Sequence, residues 1–293
     1  MENDTNLHRP TRSFSAITHK LAKRMTESPR QPDANTPTVL VFDSGAGGLS
    51  ICTKIMALRN DCAIVYAADN AYFPYGELST SALRQRVITF MGELIDQYSP
   101  SIAVIACNTA STALLADLRE TFDIPFVGVV PAIKPAATAT QTGTIAILAT
   151  SATVTRDYTR DLINEFAPNK TVILHSAQPL VSAAEQLIQN NQCPDSAIQG
   201  TLSELFAKPG AEHIDTIVLA CTHFPLLREA IQALLPASIT RLDSGDAIAR
   251  RVDSLLCATN TLKQTQRFSV HLSKPCTTTL NAYNNFLAAH IQI

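Results

Sequence analysis

The chain has 293 residues, of which 46% are apolar, and its formal net charge is −2. This length predicts about two domains with a substantial core. The nearly balanced charge argues against a role at nucleic acid or a membrane surface that rests on bulk charge, and the apolar runs are too short to span a membrane. Seven scattered cysteines without a CxxC pair fit neither a disulfide framework nor a zinc ribbon, and no signal peptide is visible. We therefore expect a cytoplasmic protein.

The predicted elements begin after a polar stretch. Residues 1–37 are interpreted as a disordered N-terminal extension, with a short helix near Ile17–Met25. A strand at Thr38–Phe42 then leads through the loop Asp43–Gly48 into a helix from about Leu49. The chain is predicted to continue with a strand at Ala63–Ala68, a helix at Ser81–Gln97, a strand at Ile102–Ala106, a helix at Thr109–Phe122, strands at Phe126–Val129 and Thr144–Leu148, a helix at Thr153–Phe166, a strand at Val172–Leu174, helices at Leu180–Gln189 and Ser196–Lys208, a strand at Thr216–Ala220, a helix at Leu226–Leu235, a strand at Thr240–Leu242 and a helix at Ala247–Ala258.

This alternation of strands and helices predicts an α/β fold with parallel sheets and right-handed crossovers. A faint internal repeat supports two similar halves. Leu40-Val-Phe-Asp43-Ser44-Gly45 recurs as Thr240-Arg-Leu-Asp243-Ser244-Gly245. The repeat is too short to prove a duplication, but it fits two α/β units that face each other.

Two cysteines share one sequence setting. Cys107 and Cys221 each follow a short apolar strand and precede small polar residues and then a helical segment. The carboxyl end of a parallel strand borders the ligand crevice of an open α/β sheet. The pattern therefore predicts a site with a thiol on each side. The other cysteines lack this setting and are interpreted as packing or surface residues: Cys52, Cys62, Cys193, Cys257 and Cys276.

The residues around these cysteines allow several interpretations. The loop Gly45–Gly48 lacks the pattern of a P-loop or a GxGxxG motif, so it is either a plain strand–helix turn or a binding site for a small anion such as a carboxylate. Asp43 is either a helix cap or an acid near Cys107. His223 is a hydrogen-bonded turn residue, a partner of Cys221 or a metal ligand, although no convincing set of further metal ligands is present.

Three kinds of chemistry use cysteine without a cofactor motif. A Cys-His-Asp hydrolase would leave the second thiol idle, and a redox pair would favour CxxC or another exchange-competent spacing. Two-base proton transfer employs both thiols, because one thiolate removes a proton from carbon while the other thiol donates to the opposite face. At pH 7 an ordinary thiol with a pKa of about 8.5 is only roughly 3% ionised. A nearby histidine could raise that fraction, and His223 next to Cys221 fits this role.

Taken together, these residues closely resemble the glutamate racemase family, which makes D-glutamate for peptidoglycan without a cofactor. The resemblance covers about residues 38–255. It rests on Phe42-Asp43-Ser44-Gly45-x-Gly47-Gly48-Leu49, Ala68-Asp69-x4-Pro74-Tyr75-Gly76, Ala106-Cys107-Asn108-Thr109-Ala110-Ser111, Gly143-x4-Leu148-Ala149-Thr150-x2-Thr153, Cys221-Thr222-His223-Phe224-Pro225-Leu226-Leu227 and Asp243-Ser244-Gly245. One departure is Ala177-Gln178-Pro179, where the family often has Ala-Cys-Pro.

The resemblance implies two flavodoxin-like domains with parallel sheets, related by a pseudo-two-fold axis, with the active site between them. The first would comprise 38–131 plus 243–293, and the second 132–242. It implies no cofactor and no metal, glutamate as substrate, and a homodimer. Cys107 and Cys221 would be the acid–base pair, supported by Asp43, His223 and Glu185. The residues expected to hold the substrate are Asp43, Ser44, Tyr75, Gly76, Asn108, Thr109, Thr222 and His223.

Two alternatives remain from the sequence. The substrate could instead be aspartate or another amino acid, since the wider superfamily also places a cysteine on each side. Some members of the family inhibit DNA gyrase, often those with an N-terminal extension. Residues 1–37 therefore keep open an additional protein-binding role that does not exclude catalysis. No contact with the membrane or directly with nucleic acid is expected.

Overall fold

The computed structural model describes residues 36–192, 195–256 and 267–291. The helix expected near Ile17–Met25 lies outside these residues. The strands are β1 Thr38–Asp43, β2 Ala63–Ala68, β3 Ile102–Ile105, β4 Phe126–Gly128, β5 Thr144–Ala149, β6 Thr171–Ser176, β7 Thr216–Leu219, β8 Thr240–Leu242 and β9 Arg267–Leu272. The α-helices are α1 Leu49–Leu58, α2 Thr80–Tyr98, α3 Asn108–Thr121, α4 Ile133–Ala139, α5 Ser151–Thr155, α6 Asp157–Phe166, α7 Gln178–Asn190, α8 Asp195–Phe206, α9 Arg228–Ala233, α10 Gly245–Leu255 and α11 Thr277–Ala289.

The strands form two parallel sheets. Their orders are β4-β3-β1-β2-β9 and β6-β5-β7-β8, and each pairing is parallel. The predicted α/β class with parallel sheets is therefore confirmed. Both orders are doubly wound: from the first strand of each sheet, the chain adds the second strand on one side and the third strand on the other. The strand order therefore reverses between the first and third strands of each sheet. These reversal points lie between β1 and β3 in the first sheet and between β5 and β7 in the second.

The central strands are covered on both faces, which explains their continuous apolar sequences. In the first sheet, Val39 and Val41 face a cluster formed with α1, α10 and α11, whereas Leu40 and Phe42 face a cluster formed with α2 and α3. The second sheet divides its buried side chains between two clusters in the same alternating way. This burial fixes the strand ends from which the polar loops emerge. Within the described parts of the chain, no helix is long and apolar enough to cross a bilayer.

The predicted helix Thr153–Phe166 was wrong as a single element. The helix is interrupted at Arg156, whose backbone is extended, and this interruption separates α5 from α6. The run Thr153-Val154-Thr155 is β-branched and weakens a continuous helix. The hydroxyl of Thr159 donates to the carbonyl of Thr153, so a side chain satisfies a carbonyl at the break.

Three elements were absent from the sequence prediction. Helix α4 contains Pro135, but this proline lies in the first turn, where it costs no backbone hydrogen bond. Strand β9 is an edge strand whose Phe268, Val270 and Leu272 pack on one core cluster, whereas His271 points to the other face and contacts the ring of Phe90. The apolar positions therefore have a period of two. Helix α11 follows it and packs against α1 and α7. Through β9, α10 and α11 the C-terminal part of the chain returns to the first sheet, while the predicted domain boundaries stay predictions.

Gly200 offers a test of helix propensity away from the site. It is exposed within α8, and a Cβ atom added there meets nothing within 4 Å. Gly200→Ala is therefore expected to raise the free energy of unfolding by about 0.5–1 kcal/mol, since alanine restricts the unfolded chain and suits a helix. Gly210 is equally open, but its φ is +81°. Gly210→Ala should lower stability by about 1 kcal/mol because an L side chain is strained there. Urea unfolding of both variants measures these two changes in the free energy of unfolding. Changes of the same sign in the two variants would contradict this account.

Candidate active site

The site lies where the reversal points of the two sheets meet. Asp43 ends β1 and Cys107 follows β3, so both lie at the reversal point of the first sheet. Thr150 follows β5 and Cys221 lies just beyond β7, at the corresponding point of the second sheet. The hydroxyls of Thr109 and Thr150 lie 3.1 Å apart and link the two sheets. The two strand-end cysteines therefore lie at corresponding reversal points of the two sheets.

Cys221 is the first member of a buried chain of three side chains. Its Sγ lies 3.8 Å from Nδ1 of His223. On the far side of the ring, Nε2 of His223 lies 2.9 Å from Oε1 of Glu185. All three residues are buried. Of the three interpretations of His223, the structure supports the partner of Cys221.

The charges within this chain reinforce one another. Burial opposes ionisation of Glu185, but hydrogen bonding and charge attraction from His223 outweigh it and lower the pKa of the carboxyl. Burial also opposes the imidazolium of His223, but its hydrogen bonds to Cys221 and Glu185 outweigh burial and raise its pKa well above the usual value. The imidazole of His223 therefore lies between the Glu185 carboxylate and the Cys221 sulfur.

Cys107 lies in the opposite electrostatic setting. Burial is the largest effect on this thiol, and the nearby carboxyl of Asp43 adds to it, so the pKa of Cys107 is raised well above its ordinary value. The amides of Ala110 and Thr109, at the start of α3, offset part of this rise. The proximity of Cys221 makes a further, smaller contribution to the rise in the pKa of Cys107. One thiol is thus held protonated, and the other is placed beside a cation.

Asp43 is fully buried between the two sheets. Its Oδ1 accepts from the amides of Ser44 and Gly45, and its Oδ2 accepts from the Thr222 hydroxyl at 2.8 Å. Burial raises the pKa of Asp43 to about 6, although His223 and these hydrogen bonds oppose the rise. The N-terminus of α1 is at Gly48 and has no side-chain cap. The helix-cap interpretation of Asp43 was therefore wrong, and its position near Cys107 agrees with the other interpretation.

The glycine loop binds carboxylates that belong to the protein itself. The amides of Ser44 and Gly45 donate to Asp43, and the amide of Ala46 donates to Oε1 of Glu185 at 2.5 Å. A Cβ atom on Gly45 would lie 2.2 Å from that Glu185 oxygen. The close approach explains why glycine is needed in the loop. The small-anion prediction matches the chemistry of these amides, but the anions they hold here are side chains.

The remaining predicted substrate residues differ in what they offer. Asn108 and Thr109 open α3 beside Cys107 and are buried. Ser44 directs its hydroxyl to Asp43 at 3.2 Å. The side chain of Tyr75 is 1% exposed and donates to Asp69 at 2.7 Å, so it packs in the core and is committed away from a ligand. Tyr75 and Gly76 open a short 3-10 turn, so their backbone amides have no partner within that turn.

Sequence reasoning missed two residues that support the site. The hydroxyl of Ser50 donates to the backbone oxygen of Thr222 at 2.9 Å and fixes the loop that follows Cys221. The hydroxyl of Tyr283, on α11, donates to Oε2 of Glu185 at 3.2 Å. Ser50 stands where a GxGxxG motif would have its last glycine, and this departure was the available signal. No local signal marks Tyr283, because its role depends on contact with a distant helix.

The buried carboxyl of Asp43 predicts a pH-dependent change in stability. Its raised pKa means that the folded protein retains a proton between about pH 4 and 6 that the unfolded chain releases, so the parent loses stability as pH rises through this interval. Asp43→Asn is expected to be about 3 kcal/mol more stable than the parent at pH 8, with little difference at pH 4. Chemical unfolding at both pH values measures this. Exposed Asp161→Asn serves as the control, and a gain that is equal at both pH values would contradict the assignment.

The site thus combines two thiols, two carboxyls and an imidazole between two parallel sheets, and the comparisons with known proteins place such a chain among the racemases, which are isomerases. The sequence profile of the Asp/Glu/Hydantoin racemase family matches residues 54–252. The chain belongs to this family.

Named relatives agree with this assignment. A glutamate racemase from Brucella anthropi is 46% identical over 225 residues, which is 76% of this chain and 81% of that protein. One from Brucella ovis is 46% identical over 221 residues, 75% of this chain and 80% of that protein. The crystal structure of Escherichia coli glutamate racemase with L-glutamate and the activator UDP-MurNAc-Ala has a TM-score of 0.78 at 39% identity, covering 87% of this chain and 96% of that one. Isoform RacE1 from Bacillus anthracis has a TM-score of 0.73 at 26% identity, covering 87% and 95%.

Proposed function

We propose that this chain racemises glutamate without a cofactor by proton transfer between Cys107 and Cys221. The observation that carries the proposal is the unequal setting of the two thiols. Cys221 lies beside the His223 imidazolium, whereas burial and the nearby Asp43 raise the pKa of Cys107 and so favour its protonated form in the resting enzyme. Proton transfer in both directions requires one base and one acid at the same time. Environments that separate the proton affinities of two groups supply these roles.

In the proposed reaction, the Cys221 thiolate removes the Cα proton of one enantiomer. The electron pair of the C–H bond passes into the carboxylate as a carbanion with enolate character, and the Cys107 thiol donates its proton to the opposite face of the same carbon. The product is the other enantiomer, and the protonation states of the two cysteines have been exchanged. The reverse reaction begins with a Cys107 thiolate. No other reactant is consumed.

The polar groups around the thiols suit an amino acid with two carboxylates. Asp43 offers a buried carboxyl oxygen to the substrate ammonium. Asn108 and Thr109, with the backbone amides of Tyr75 and Gly76, offer donors to the carboxylates, whereas the Ser44 amide and the Thr222 hydroxyl hold Asp43 in place. His223 supports Cys221, and Glu185 supports His223. The choice of glutamate is supported by the curated relatives and by the L-glutamate complex of the Escherichia coli enzyme.

The cellular role is proposed on the same resemblance. D-Glutamate from this enzyme would enter peptidoglycan synthesis in the cytoplasm and so support cell shape. The enzyme is proposed to act as a homodimer of two-domain subunits, divided as 38–131 plus 243–293 and 132–242. A binding role toward gyrase through residues 1–37 is kept as an additional proposal. Residues 1–35 of that segment lie outside the part of the chain that the structure describes.

The proposal is tested with purified protein and D-glutamate in D2O, without an added cofactor. Circular dichroism is expected to decay to zero while deuterium enters the α position, as followed by proton NMR. D-Aspartate is run in parallel, because one methylene in a pocket is worth only about 1–3 kcal/mol in discrimination. Faster turnover of D-aspartate than of D-glutamate would identify aspartate as the preferred substrate instead. No loss of optical signal with either amino acid, under conditions in which an established racemase works, would reject the proposal.

A further inference from the structure

Glu185 is held by more than its partner histidine. Its Oε1 accepts from His223 and from the Ala46 amide, whereas its Oε2 accepts from the Tyr283 hydroxyl at 3.2 Å and from the Gln189 amide at 3.1 Å. The two donors to Oε2 differ in burial. Tyr283 is 1% exposed, whereas Gln189 lies on the exposed face of α7. Water can replace the Gln189 bond but not the buried hydroxyl, so Tyr283 is the donor that fixes Oε2.

The tyrosine is itself fixed by its surroundings. Its ring packs edge-on against Tyr66, with 5.8 Å between the ring centroids. The Tyr66 hydroxyl in turn donates to the carbonyl of Gly45, in the loop whose next amide binds Glu185. Helix α11 contacts both α7, which carries Glu185, and α1, which follows the loop. Two packed tyrosines therefore connect α11 to both sides of the carboxylate.

We infer that Tyr283 is a positioning residue for proton transfer at Cys221. It holds the Glu185 carboxylate so that Oε1 faces His223, and His223 in turn stays directed at the Cys221 sulfur. Tyr283 contacts neither the thiol nor the imidazole in this arrangement. It also lies beyond residues 54–252, the part of the chain that the family profile matches. The inference rests on the proposed racemase function and adds the C-terminal helix to its machinery.

The neighbouring charged and titratable groups do not substitute for this bond. Glu185 is faced by His223 from the loop after β7, by Tyr66 from β2 and by Tyr283 from α11. Asp43 and Cys276 also lie close enough to raise the pKa of the Tyr283 hydroxyl by charge repulsion. Among these groups, Tyr283 is the hydrogen-bond donor to Oε2.

The test replaces the hydroxyl and keeps the ring. Tyr283→Phe retains the packing on Tyr66 and removes the donor to Glu185. Tyr98→Phe is the matched control, because it also removes a partly buried tyrosine hydroxyl that bonds a side chain, that of His271 at 2.9 Å. We expect Tyr283→Phe to lower kcat by about tenfold with little change in KM, and Tyr98→Phe to leave both nearly unchanged.

Deuterium isotope effects separate a positioning role from a loss of folded enzyme. In Tyr283→Phe the transfer at Cys221 should become the slower of the two proton transfers. The isotope effect should then rise with α-deuterated substrate of the enantiomer that Cys221 deprotonates, and fall with the other enantiomer. Partial unfolding would reduce the rate and leave both isotope effects at their parent values. That result would overturn the inference.

A second measurement does not depend on racemase activity. In protein labelled with 15N-histidine, the hydrogen-bonded Nε2–H of His223 should give a downfield, slowly exchanging proton resonance, assigned by its loss in His223→Asn. This resonance should broaden or disappear in Tyr283→Phe and persist in Tyr98→Phe. Its persistence in Tyr283→Phe would overturn the inference even if the parent protein racemised no amino acid. Inactivity of the parent alone would count against the proposed function instead.

Discussion

Cys107→Ser and Cys221→Ser are each expected to lose racemisation by about a thousandfold or more, because a serine hydroxyl at neutral pH is neither a comparable base nor a comparable acid. The two variants should nevertheless differ. In D2O, each retains one thiol that can remove and return the α proton of one enantiomer. Each variant should therefore exchange deuterium into one enantiomer without inverting it, and the enantiomer should be opposite in the two variants. Proton NMR with each enantiomer separately measures this.

Cys62→Ser provides the control for this pair. Cys62 is buried beside the first sheet and bonds a backbone carbonyl, but it lies away from the strand ends that form the site. It should alter stability and leave racemisation near the parent value. The two-thiol proposal would fail if Cys107→Ser or Cys221→Ser kept substantial racemisation. It would also fail if both variants exchanged the same enantiomer.

Gly47→Ala is expected to reduce racemisation by at least about a hundredfold, a loss typical of catalytic groups displaced by about 1 Å. A Cβ atom on Gly47 would lie 2.4 Å from Nδ1 of His223 and 2.5 Å from the Thr222 hydroxyl oxygen. Real Cβ atoms do not approach so closely, so the loop after β7 must move. That movement would separate His223 from the Cys221 sulfur and break the Thr222 bond to Asp43.

The measurement for Gly47→Ala combines kinetics with unfolding. Racemisation is compared with that of Gly200→Ala, which adds the same methyl group in open space and should retain full activity. Thermal unfolding under the assay conditions establishes that the Gly47→Ala protein is folded. Activity within a few-fold of the parent would show that the loop accommodates the methyl group and that the His223 position is not critical.

The alternating pattern of strands and helices was sufficient to predict the fold class because buried parallel strands have continuous apolar sequences. It was less informative at the C-terminal end. Strand β9 alternates apolar and polar residues, as an edge strand does, and α11 gains its place only by packing on α1 and α7. Such contacts between distant segments leave little trace in a local pattern of residues.

The site likewise contains residues that a local sequence pattern predicts and residues that depend on contacts between distant segments. Cys107, Cys221 and Asp43 were predictable because strand ends of parallel sheets meet at one edge. Glu185 was inferred from a family resemblance alone, and the structure places it 2.9 Å from His223. The hydrogen bond from the Tyr75 hydroxyl to Asp69 could not be inferred, because a tyrosine buried in the core and a tyrosine that binds a ligand can have the same neighbours in sequence. Tyr283 has no neighbour in sequence that hints at Glu185.

The pairing of β9 with β2 has a consequence for the order in which the protein is made. Asn70 and Lys274, which bond to each other beside this pairing, are 204 residues apart in sequence. A ribosome has therefore synthesised both cysteines, the histidine and the glutamate long before α11 brings Tyr283 to Glu185. Until α11 has been synthesised, Glu185 lacks the Tyr283 donor. Glu185 gains its Tyr283 bond only when the C-terminal segment folds back onto the first sheet. Under the proposed mechanism, full activity would therefore develop only after almost all of the described chain has been translated.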